Sequence, residues 1–288
     1  MRLEPSFRDI SATELVSYLL RASGQDEGDA VNPSPILDLL GLKHLSVDFL
    51  RELPEVITPG GERPRALLSF PERVIATDRE LRETQARFST FHDVGHYVLP
   101  EHVEAIVLCT DRDLGPLARG AREREANAFA AELMFHGVRF SLEANSQEVS
   151  ARTVKELARK YQASFEATAR RLVDRSIRPC MLIVFEKVAD DRRIDISQPP
   201  RWQVKYSIPS RTFALRFFSG VTGTLDSGDA ALVAVPNRDI ADSVTREERI
   251  RLPDESEETF RAEYFSNQYN IFCLLQPVGK RGQHAPPD

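Results

Sequence analysis

Near Pro179 the hydrophobic period of this chain changes from that of helices to that of strands, so neither an all-helical nor an all-β fold accommodates both halves. Upstream, Ser11 to Ala22 sets Leu15, Tyr18, Leu19 and Leu20 at helical spacing, and a short helix over Ser34 to Leu40 is closed by Gly41. A longer helix runs from Glu80 to Leu99, where Pro100 stops it, and another from about Ala121 to Phe135, ahead of Gly137. Residues 153–175 give two short amphipathic helices around Gln162-Ala163-Ser164. The apolar runs 66–70 and 73–77, on either side of Pro71-Glu72, read as paired strands. Gly24 to Pro35 and residues 141–150 read as loops. Downstream, Met181–Val188, Trp202–Ile208, Phe213–Phe218, Ala230–Val235, Phe260–Phe265 and Tyr269–Leu275 carry β-branched and aromatic residues in partial alternation, as strands do.

The class expected is therefore α+β. An α-rich domain with a small sheet covers 1–150, a helix-turn-helix-like pair covers 151–178, and an antiparallel sheet-rich domain covers 179–278. The last ten residues, 279–288, form a disordered tail. With 41% apolar residues the chain can bury a sizeable core, and a net charge of −6 argues against nucleic-acid binding by the chain as a whole. The most apolar run, Cys180 to Phe185, is strand-sized, and the first ten residues lack the apolar stretch of a signal peptide. Cys109, Cys180 and Cys273 are odd in number and widely spaced, which fits buried free thiols in a reducing compartment. These features predict a cytoplasmic protein.

His92-Asp93-Val94-Gly95-His96 carries the chemistry. Histidines at i and i+4 leave one face of a helix a turn apart, so both rings reach one ion. The acidic residue after the first histidine can then face water at that ion and serve as general base, which assigns Asp93. A catalytic tetrahedral site needs a third ligand and an open corner. Glu123, near the start of the next helix, is the first choice and Glu125 the second. Asn127, four residues after Glu123, shares its face and reaches the outer nitrogen of a ligating histidine. His102, six residues after His96, stands where some zinc peptidases place a third histidine. Those enzymes turn on a glycine three residues after the second histidine; here that residue is Leu99, so a surface histidine is the expected reading. His136, just before Gly137, reads as a helix-end residue. The residue set suits zinc, with manganese or iron(II) as alternatives.

Residues 87–99, RFSTFHDVGHYVL, followed by 125–134, EANAFAAELM, resemble the ImmA/IrrE family of metallopeptidases. The resemblance is clear over about 66–137 and looser over 11–178. It implies a zincin-like fold, zinc held by His92, His96 and Glu123, and cleavage of a helix-turn-helix transcriptional repressor in a stress or mobile-element response. By the same resemblance the C-terminal domain is GAF-like. One residue departs from the family pattern. Asp93 stands where the family has glutamate, which withdraws the carboxylate by roughly 1.5 Å. Metal binding is expected to survive that change, whereas general-base reach is shortened. A metal-binding pseudopeptidase that sequesters a regulator uncut is thus the alternative. Residues 152–178 hold eight Lys or Arg against three acidic residues, so a DNA-binding regulator that reads duplex through 165–172 is the third reading. Packing of that helix pair onto the peptidase domain is favoured over it.

Overall fold

In the computed structural model the described residues are 11–278, apart from 29, 53, 55–61, 116, 117, 119, 189–201, 222, 223, 226–242, 253 and 268. The chain divides into two compact units: residues 1–140 with 160–164, and residues 141–159 with 165–288. Both units combine helices with a sheet, as the change of period requires.

The first unit opens with α1 (Ala12–Ala22), whose start is fixed by a reciprocal cap. The Ser11 hydroxyl accepts from the Glu14 amide, and the Glu14 carboxylate accepts from the Ser11 amide. Leu15, Val16, Leu19 and Leu20 face the core. Next, α2 (Pro33–Leu40) begins on an Asn32 cap with proline in its first position and ends on Gly41 at φ +66°. Strand β1 (Lys43–Val47) and the short α3 (Phe49–Glu52) follow, then β2 (Ala66–Ser69) and β3 (Val74–Asp78). After α4 (Glu83–Val98) comes β4 (Ile106–Cys109), then α5 (Ala121–Met134). The four strands form one mixed sheet in the order β1-β3-β2-β4, with β1 parallel to β3 and the other pairs antiparallel.

Helix α4 packs on β2 and β3 and also against α5, so ten of its residues are buried, polar ones among them. Arg87 is one of these. Its guanidinium donates to the backbone carbonyls of Gln162 (2.5 Å), Tyr161 (2.8 Å) and Met134 (3.4 Å). Burial lowers its pKa to about 10, so it stays charged at neutral pH.

In the second unit, α6 (Val138–Ser146), which begins in the first, leads to α7 (Ala151–Lys160) and α8 (Phe165–Asp174). The sheet is built from β5 (Met181–Lys187), β6 (Trp202–Pro209), β7 (Thr224–Leu225), β8 (Val244–Arg251), β9 (Glu257–Ser266) and β10 (Ile271–Pro277), with α9 (Arg211–Arg216) after β6. Its order is β7-β6-β5-β10-β9-β8, antiparallel throughout. Met181, Ile183, Phe213, Phe260, Ile271 and Cys273 belong to one apolar cluster. Helix α8 packs on β5 and β6, and Phe165 meets Phe265 and Phe272 edge-on.

Several expectations need correction. Residues 213–218 are not a strand, because α9 starts at a Ser210 cap that accepts from the Phe213 amide, and Phe213 and Phe217 contact each other one turn apart. Nor is 141–150 all loop: α6 enters it from Val138, burying Phe140 and Ala144 at i, i+4 while the intervening Leu142 stays exposed. Strands β1, β4, β7 and β8 fall outside the expected strands. The sequence of β8, VTREERIR, alternates half-buried and exposed residues at the edge of its sheet, where charge is tolerated. The Ala230–Val235 strand and the tail 279–288 lie outside the described residues. Among the described residues no helix is long and apolar enough to cross a membrane.

Candidate metal centre

Helix α4 presents His92 and His96 on adjacent turns, and α5 faces them with Glu123. The helices meet closely because α4 has Gly95 at the crossing. A Cβ there would stand 3.3 Å from the Cα of Ala126 and 3.2 Å from the ring of Phe129. The two His Nε2 atoms are 3.0 Å apart, and Glu123 Oε2 lies 3.1 Å from His92 Nε2 and 3.4 Å from His96 Nε2. Bonds of about 2.0–2.2 Å to a tetrahedral ion would put neighbouring ligand atoms about 3.3–3.6 Å apart, close to these values.

The proton positions agree with that reading. Asn127 Nδ2 donates to the Asp113 carbonyl at 2.7 Å, and a carbonyl only accepts. The Asn127 Oδ1 therefore turns to His92 Nδ1, 2.9 Å away, and takes its proton. Burial holds the His92 pKa below its usual value, so the ring is neutral and its Nε2 offers a lone pair toward the centre. Electron-pair donors thus crowd one small volume, which fits a cation among them.

Asp93 is fully buried beside this centre. Its Oδ1 accepts a long contact, 3.6 Å, from the Cys109 thiol at the end of β4, while its Oδ2 has no hydrogen-bond partner among the described residues. An orphaned buried carboxylate oxygen next to the donor cluster fits a site completed by a further group. Burial raises the pKa of Asp93, and the nearby Glu123 charge adds to the effect. Cys109 also falls within the cluster. One donor atom from each of His92, His96, Cys109 and Glu123 lies within 4.8 Å of the others. In the sequence Cys109 reads as an ordinary buried thiol. Its only local signal is its place at the end of the apolar run IVLC, and sheet pairing of Cys109 with Ala66 is what brings it inward. All three cysteines are buried and free, as expected.

His102 departs from expectation. It is 1% exposed and not a surface residue. Leu99 is extended, Pro100 ends the helix, and Glu101 takes φ +67°, which turns the chain back onto α4. His102 Nδ1 then sits 3.1 Å from His96 Nδ1, and its Nε2 sits 3.1 Å from Glu125 Oε2. His102 and Glu125 therefore address the outer edge of His96, away from the point on which His92, His96 and Glu123 converge. Of the loop charges, Asp111 pairs with Arg65 and Glu104 with Arg122, and Asp113 caps Thr110. His136 ends α5 at φ +59° and bonds the Gln25 carbonyl.

The proposed DNA-reading segment is covered. None of residues 165–173 is fully exposed. Glu166 accepts from Tyr206 and Asn270, Arg170 lies over the Tyr206 ring and Arg171 is buried. The geometry is that of a helix packed on its own sheet.

Residues 55–173 match the Peptidase_M78 family model, described as the IrrE N-terminal-like domain. A solved structure titled Mycobacterium tuberculosis transcriptional regulator aligns over 96% of this chain and 93% of that one, with 14% identity and a TM-score of 0.49. No curated protein matches the sequence.

Proposed function

We propose that the chain is a zinc metallopeptidase that hydrolyses a peptide bond in a protein partner, with a helix-turn-helix transcriptional repressor in a stress or mobile-element response as the class of substrate. The observation that carries this reading is the convergence of His92 Nε2, His96 Nε2 and Glu123 Oε2 at 3.0–3.4 Å within a metallopeptidase-family domain. His92, His96 and Glu123 would hold the ion, and Asn127 fixes the tautomer of His92 through its own bond to the Asp113 carbonyl. When bound, zinc supplies a Lewis acid that acidifies water and polarises the scissile carbonyl. Manganese or iron(II) would suit the same ligands. Asp93 serves as base: its Oδ2, without a hydrogen-bond partner among the described residues, takes the proton of the attacking water and returns it to the leaving amine. The reading places the protein in the cytoplasm, where its repressor substrate would be.

Incubation with candidate repressors, with and without a chelator, tests the proposal. One discrete cut, abolished by chelator and restored by zinc, is expected; cleavage that persists in chelator refutes it.

Asp93 also motivates a second reading, a pseudopeptidase that binds metal and sequesters its regulator uncut. Proteolysis that appears only in Asp93→Glu would establish it.

A further inference from the structure

We infer that His102 and Glu125 form an outer relay that positions His96 and sets which of its nitrogens is free to ligate. The inference rests on the metal-site reading above. His92 and His96 each need their outer ring nitrogen protonated if Nε2 is to present a lone pair to the ion. For His92 the acceptor is Asn127. For His96 the partner at its Nδ1 is another imidazole, His102, at 3.1 Å.

Two facing ring nitrogens share one proton, so one ring must donate and the other accept. Glu125 decides the direction. Its carboxylate lies 3.1 Å from His102 Nε2 and accepts only, which draws the single proton of neutral His102 to Nε2. His102 Nδ1 is left with a lone pair and accepts from His96 Nδ1. His96 Nε2 is then unprotonated and faces His92 Nε2 and Glu123 Oε2. Each histidine on α4 thus has its own support: an amide tied to a backbone carbonyl for the first, and an imidazole tied to a carboxylate for the second.

Local structure serves this placement. Glu101 adopts the left-handed region, costly for a residue with a Cβ, in the turn that brings His102 back. Glu125 lies two residues from Glu123 on α5. One helix therefore supplies both the inner carboxylate and the outer one.

The test is zinc affinity by competition with a chromophoric chelator, alongside the melting temperature of the metal-free protein, for wild type, His92→Ala, His102→Phe, His102→Gln and Glu125→Ala. His102→Phe keeps the ring volume and removes the acceptor. It is expected to weaken zinc binding about 10–100-fold. His102→Gln, which retains an acceptor oxygen, should recover most of that loss and serves as the second probe if the Phe variant does not fold. Glu125→Ala should weaken binding in the same direction but less, since water can replace the exposed carboxylate. If wild type binds zinc, His92→Ala does not, and His102→Phe binds as wild type, the relay is wrong while the metal site stands. If wild type binds no zinc, both readings fall.

Discussion

Gly95→Ala probes the helix crossing on which the whole site depends. In a helix interior alanine is favoured over glycine by about 0.8–1.0 kcal/mol, so an uncrowded Gly95 would give a stabilised variant. The added Cβ would instead stand 3.2 Å from Phe129 Cδ1, 3.3 Å from Ala126 Cα and 3.4 Å from the Ala126 carbonyl oxygen. Ordinary carbon contacts are about 3.5–4.0 Å, and two of the three neighbours are backbone. Phe129 and Ala126 are fully buried, leaving little room to yield. Overpacking of this kind costs about 1–3 kcal/mol, so the net loss is about 0–2 kcal/mol, or a melting temperature lower by up to about 8 °C. The cheapest relief is for α5 to retreat by a few tenths of an ångström, which takes Glu123 away from His92 and His96. Metal sites tolerate about 0.2 Å. Zinc affinity should therefore fall by about tenfold or more. The assays are thermal unfolding of the metal-free protein and a zinc competition titration. A variant that melts higher than wild type and binds zinc equally well would show that the crossing is not tight, and the argument would fail.

Other outcomes follow from separate parts of the molecule. Asp93→Glu inserts a methylene into a fully buried position against Cys109, so it should destabilise the protein by about 1–3 kcal/mol in urea unfolding. Its cleavage rate should not exceed that of wild type if Asp93 is already the base. Arg87→Met leaves the Gln162 and Tyr161 carbonyls without their donor, and with about 1.5–3 kcal/mol per charge-assisted bond, partly offset by relief of desolvation, the expected loss is about 3 kcal/mol in the same measurement. His44 lies on the exposed part of β1 with its Nε2 bonded to Thr77 Oγ1, and partial desolvation of the ring lowers its pKa. The unfolded chain therefore takes up a proton that the native state does not as pH falls below about 6.5, and stability declines on that side. His44→Gln should show a shallower decline between pH 7 and 5 than wild type, read by denaturant midpoints; an identical slope would refute it.

The inner site was legible because a helix repeats every 3.6 residues. His92 with His96, and Glu123 with Asn127, are pairs whose relation is fixed by local geometry, and local geometry is what a sequence shows. The outer shell was hidden for the opposite reason. His102 reaches His96 only through the left-handed turn at Glu101, and Cys109 reaches Asp93 only through the pairing of β4 with β2. The antiparallel character of the C-terminal sheet showed in its alternation, but β8 was masked by charge that an edge strand accepts. Aromatic content made 213–218 look extended, and the Ser210 cap decided otherwise. The basic helix pair had the rhythm of a DNA-reading motif, and only its packing on the sheet distinguishes the two uses.

The most direct test of the account is metal content. Wild type, His92→Ala and Glu123→Ala would be purified, supplied with zinc, desalted and analysed by elemental mass spectrometry, with circular dichroism to confirm folding. About one equivalent of zinc in wild type and little in either folded variant is the predicted result. Wild type that retains no zinc, or variants that retain as much as wild type, would contradict the site built from these three residues.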